Sequence, residues 1–101
     1  MKTTVITPKN LGQKDATLCA ASLLSLTEDP KITGQEARRI VIASLKLIRP
    51  LAEKHWWAYG VRELLTDALR AYAHGSSHMG DFWETIAYAA EKTEEAYKKY
   101  D

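Results

Sequence analysis

Between Thr33 and Pro50 the chain marks both ends of a helix. Thr33 and Glu36 form a capping box, in which each residue satisfies a backbone N–H that has no helical partner. Pro50 disfavours a helical residue before it, so the spacing predicts a stop at Arg49. At about 100° per residue, Ala37, Ile40, Val41, Ala43, Leu45, Leu47 and Ile48 cover a broad apolar arc. Arg38, Arg39, Lys46 and Arg49 occupy the opposite arc, with Ile42 in their midst. A helix divided in this way takes most of its stability from packing its apolar arc on something else. The rest of the chain has to supply that partner.

It supplies more helices. An apolar segment runs over about 15–26, with Asp15 placed to cap it. Leu18, Cys19, Leu23 and Leu26 share one side, and Ala20, Ala21 and Leu24 spread apolar character around the rest. A helix apolar nearly all round is expected to be central, contacted on several sides. In 50–74, Pro50 is placed to restart a helix at its first position. Val61, Leu64, Leu65, Ala68, Leu69 and Tyr72 form a stripe opposite Arg62, Glu63, Thr66, Asp67 and Arg70. Lys54-His55-Trp56-Trp57-Ala58-Tyr59 does not keep that phase. Either Gly60 splits the helix or the aromatics are exposed. Residues 75–80 read as a loop, with Gly75 suited to the position after a helix end. Asp81 and Glu84 resemble a second capping pair, opening a helix over 81–99. Its inward residues are Phe82, Trp83, Ile86, Ala89, Ala90, Tyr97 and Tyr100, with Tyr88 outward among acids. Residues 1–14 read as a short arm, with Val5 and Ile6 of strand propensity and Thr7-Pro8 able to cap a turn. The expected fold is all-α: one compact bundle of four to five helices in a single domain, 1–101, with a short N-terminal arm.

Composition narrows the function classes. The 101 residues are 46% hydrophobic and 27% charged, as a folded soluble domain requires. The formal charge is +1, too near neutral for a general nucleic-acid binder. Charge is unevenly placed, however. Over 31–60, Lys31, Arg38, Arg39, Lys46, Arg49 and Lys54 against Glu36 and Glu53 leave +4, whereas 81–101 carries −3. A single cysteine excludes an intrachain disulfide and fits a reducing cytoplasm. No apolar run suits a signal peptide or a membrane span, so a cytoplasmic protein without membrane contact is expected.

Chemistry-bearing residues are sparse. His74, His78 and Asp81 are of zinc-ligand type, but a glycine-containing loop separates the histidines and no cysteine is nearby. A plain interhelical loop is expected, with no metal and no cofactor. Cys19, in the most apolar helix, reads as a small core residue shielded from reaction. The sequence offers two stronger surfaces. Ile42 ringed by Arg38, Arg39, Lys46 and Arg49 suits the centre of a protein interface, where apolar and arginine contacts concentrate. Trp56 and Trp57 point about 100° apart, so one core face does not hold both. Trp57 then falls on the core side, and Trp56 and Tyr59 are candidate partner anchors.

Arg49-Pro50-Leu51-Ala52-Glu53-Lys54-His55 is similar to the Arg-x4–6-His signature of HEPN ribonucleases, which are small helical bundles. The resemblance covers this motif alone. It implies Arg49 and His55 as a catalytic pair acting on RNA after dimerisation.

With no catalytic constellation, the expected function is non-enzymatic: an interaction protein that binds a protein or ribonucleoprotein partner. Small helical proteins of this kind include accessory and inhibitor proteins of phages and mobile elements, among them anti-CRISPR proteins. The alternative expectation is a nucleic-acid-binding protein using the basic 31–54 region, and the next is the HEPN-like ribonuclease.

Overall fold

The computed structural model describes residues 12–99. It contains four α-helices: α1 (Gln13–Ser25), α2 (Gly34–Ala52), α3 (Trp56–Ala73) and α4 (Met79–Lys98). Single 3-10 turns at Leu26–Glu28 and Ser76–His78 flank the connections, and no strand occurs among the described residues. The all-α bundle is therefore present, with four helices. Most of the expected arm, with Val5, Ile6 and the Thr7-Pro8 turn, lies outside the described residues, as does Tyr100.

The helices close a ring. α1 packs on α2 and α4, and α3 packs on the same two. Gln13, starting α1, meets His55 just before α3, with Oε1 2.9 Å from Nε2. The Lys14 ammonium lies over the Tyr97 ring, 5.9 Å from its centre. The starts of α1 and α3 thus share one pole with the end of α4, and the helices alternate up and down as short connections favour. Leu24, Val41, Ile48, Leu65, Phe82 and Ile86 are fully buried at the centre. The Phe82 ring lies 5.2 Å from the Tyr72 and Trp83 rings, tilted to both. Each such side chain contributes about 1.5–3 kcal/mol on burial.

α2 begins as its sequence says. The Glu36 N–H donates to Thr33 Oγ1 at 3.1 Å, and the Thr33 hydroxyl donates to Glu36 Oε1 at 3.0 Å. It ends later than expected. Pro50 lies inside α2, which continues to Ala52. A proline removes the bond to the carbonyl four residues back and crowds it. Here that carbonyl belongs to exposed Lys46, and Leu51, one residue after the proline, is buried and keeps the last turn in place. The true break is the turn at 53–55, where the Lys54 and His55 N–H groups both donate to the Leu51 carbonyl at 3.0 and 2.9 Å. α3 therefore starts at Trp56 rather than Pro50, and it runs unbroken through Gly60.

Three other expectations are corrected. α1 opens at Gln13 after Gly12, so Asp15 sits in the first turn and does not cap. Its buried residues are Ala16, Thr17, Ala20 and Leu24, while Cys19 is exposed. In a ring of four, α1 touches two neighbours only, so the Leu18–Cys19–Leu26 side faces outward and Cys19 is not a core residue. α4 opens at Met79 after His78, which leaves Asp81 in the first turn, its Oδ2 3.6 Å from His78 Nδ1. Gly75 does follow the end of α3, with φ +96° and its N–H bonded to the Tyr72 carbonyl at 3.1 Å.

Two substitutions test this packing. Leu65→Ala should cost roughly 2–5 kcal/mol in chemical denaturation, because it empties a fully buried site. Ser44 is also fully buried, yet its hydroxyl has no partner, whereas Thr17 and Thr93 donate to the Gln13 and Ala89 carbonyls at 2.7 Å. Ser44→Ala should leave stability unchanged or raise it by about 1 kcal/mol, since it removes an unpaired buried polar group. A clear loss of stability would mean that the hydroxyl is satisfied in solution.

Candidate functional site

Among the described residues, grooves lie in two opposite seams of the ring. The larger runs between α3 and α4 and encloses about 710 Å³. α3 contributes Trp56, Trp57, Gly60, Val61 and Leu64, with His55 just before it, and α4 contributes Tyr88, Lys92, Glu95, Ala96 and Lys99 at its end. These residues follow from helix periodicity. Trp56, Gly60 and Leu64 recur every four residues along one edge of α3. Tyr88, Lys92, Glu95 and Lys99 do the same on α4 at spacings of four and three.

Trp56 stands at the mouth of this groove, 88% exposed. Its neighbour Trp57 is half-buried against the core and stacks on His55 at 6.2 Å. The two tryptophans differ in exposure, but both line this groove, and Trp57 packs against the core without being part of it. Tyr59 is also exposed, but it lies off the groove, its ring covered by the Arg62 guanidinium at 4.7 Å. Across the groove, Lys92 lies over the half-exposed Tyr88 ring at 5.3 Å and pairs with Glu95 at 3.6 Å. Gly60 lines the groove and is exposed. A Cβ built there would meet no heavy atom within 4 Å.

The smaller groove, about 390 Å³, lies between α1 and α2. Leu23 forms one wall, and Arg39, Ile42, Ala43, Lys46 and Leu47 form the other. Here the structure brings together three of the five residues expected on the basic face, Arg39, Ile42 and Lys46. Arg38 turns away to the α3 side, its guanidinium 5.8 Å from the Tyr72 ring centre. Arg49 is exposed and lines neither groove.

The remaining candidates separate. Arg49 lies on α2 while His55 follows the interhelical turn and caps α3, so the ribonuclease-like motif spans two helices. The His55 ring is engaged by Gln13 and Trp57. The His74 and His78 rings lie 5.2 Å apart, tilted at 46°, and no group of three His, Cys, Asp or Glu placed to hold a metal is found among the described residues. Sequence reasoning located Trp56 but not the α4 wall of its groove. The available signal was Tyr88, an aromatic set among acids on an outward face.

Compared with models of protein families, with curated proteins and with solved structures, the chain matches none.

The open space beside Gly60 makes a measurable prediction. A glycine inside a helix costs about 1 kcal/mol relative to alanine, and nothing within the chain uses the space it leaves. Gly60→Ala should therefore stabilise the protein by about that amount in thermal or denaturant unfolding. Destabilisation would show that the position is conformationally constrained.

Proposed function

We propose that this protein is a non-enzymatic interaction protein that grips a protein or ribonucleoprotein partner with the α3–α4 groove, using Trp56 as its principal anchor. The observation that carries the reading is the near-complete exposure of Trp56 on the lining of a groove of about 710 Å³. A tryptophan left in water gains its burial energy only when a partner covers it. Tryptophan is also the residue type that most often dominates binding energy at interfaces. Aromatic walls with a charged rim of Lys92, Glu95 and Lys99 follow the usual interface anatomy of an apolar centre and a polar edge.

Such a protein works by occupancy. It inhibits or recruits its partner by covering a surface, in the manner of a phage accessory or anti-CRISPR protein acting in the cytoplasm. Support for an enzyme is weaker, since the one catalytic resemblance, Arg49 and His55, is divided between two helices.

The test uses paired variants. Trp56→Ala should leave thermal unfolding nearly unchanged and weaken partner binding by roughly 2 kcal/mol. Trp57→Ala should cost about 3 kcal/mol of folding stability, because it removes a ring packed on the core. Full partner recovery by Trp56→Ala in a quantitative pull-down would overturn the reading.

A further inference from the structure

The α1–α2 groove lies across the ring from Trp56 and shares no lining residue with the larger groove. Its floor and walls are apolar: Leu23 from α1, with Ile42, Ala43 and Leu47 from α2, all half-buried. Leu18 on α1 and Leu26 in the turn after it leave further apolar surface, 41% and 55% exposed. Only cations charge the lining, Arg39 and Lys46.

Those cations differ from the paired ones on α3 and α4. Arg62, Arg70, Lys92 and Lys98 each face a carboxylate at 3.4–3.6 Å. Arg39 and Lys46 have no ion-pair partner among the described residues. They are seven residues apart, two turns, which places them about 10.5 Å apart along α2. Ile42 lies between them in sequence.

We propose that this groove is a second docking site, which receives an amphipathic helix of a partner protein with two carboxylates seven residues apart on one flank. Two turns of the guest helix match two turns of α2, so both carboxylates meet a cation at once. The guest's apolar face covers Leu23, Ala43 and Leu47. On the α1 side the lining presents no charge, so the guest needs acids on one flank only. A nucleic acid would use the cations but leave the apolar floor uncovered. For this reason the groove suits protein better than phosphate. The protein would then hold two partners on opposite faces, and the second contact does not depend on the first.

The experiment uses the full chain and a synthetic leucine-faced helix bearing two glutamates seven residues apart, followed by fluorescence anisotropy. A twin peptide with lysines in place of the glutamates, and a single-stranded RNA oligonucleotide, are the comparison probes. The glutamate peptide should bind, and the lysine twin should bind at least about tenfold more weakly. Arg39→Glu with Lys46→Glu should reverse that order while leaving thermal unfolding unchanged, because exposed charges contribute little to folding. Trp56→Ala should bind the glutamate peptide as the wild type does. Equal binding of both peptides, or none, overturns the proposal. So does RNA binding stronger than peptide binding and lost on charge reversal. Self-association in sedimentation that charge reversal abolishes would assign the groove to a second copy and overturn it. Loss of peptide binding in Trp56→Ala would overturn the independence of the two sites.

Discussion

A ring of four helices lets each helix touch two neighbours, and this limit governs the surface as much as the core. The sector facing the ring's centre buries Leu24, Val41, Ile48, Leu65, Phe82 and Ile86 without remainder. Whatever apolar residues a helix carries outside that sector stay in water unless another molecule covers them. α2 obeys the limit almost fully, since its outer arc is mostly charged. α1 and α3 exceed it. Leu18 and Cys19 on α1, Leu26 in the turn after it, and Trp56 and Tyr59 on α3 are residues the ring has no room to cover. Of these, Trp56 lines a groove.

Charge is organised by a parallel rule. The outer face of α4 is acidic, but Lys98 reaches Glu94 and Lys92 reaches Glu95 within the same helix. Part of its charge is spent locally, in pairs that contribute little to stability at an exposed surface. α2 has no carboxylate after Glu36, so Arg39, Lys46 and Arg49 find no such neighbour. A sequence neutral in sum therefore presents one face with unsatisfied positive charge.

Much of this was legible before any coordinates. The Thr33–Glu36 pair, the Val61–Leu65–Ala68 stripe and the Gly75 stop are local signals, readable because each depends on residues within a turn of one another. The exposure of Trp56 was readable too, as a phase mismatch with that stripe. The failures share a cause, which is that the deciding contact lies far away in sequence. Pro50 reads as a terminator in sequence, but Leu51 is held in the core by other helices. Cys19 reads as buried because α1 is apolar all round, and only the number of neighbours decides which part of that surface is covered. The α4 side of the large groove is hidden for the same reason: Gly60 and Lys99 come to line one groove through the fold alone.

The shared pole of the bundle bears on how the chain can be rearranged. Gln13 meets His55 there, and Lys14 meets Tyr97, so the first turn of α1 and the last turn of α4 are neighbours. A short linker could join them, and the chain could be reopened at Ser76–His78 on the opposite pole, a surface turn whose removal breaks no helix. Such a circular permutant keeps the ring of contacts while moving both new ends away from Trp56. It would also change which seam forms first as the chain is made. In the natural order the α1–α2 seam closes first and the α1–α4 seam waits for the last helix, whereas in the permutant the α1–α4 seam closes first; the α3–α4 seam needs the last helix in both.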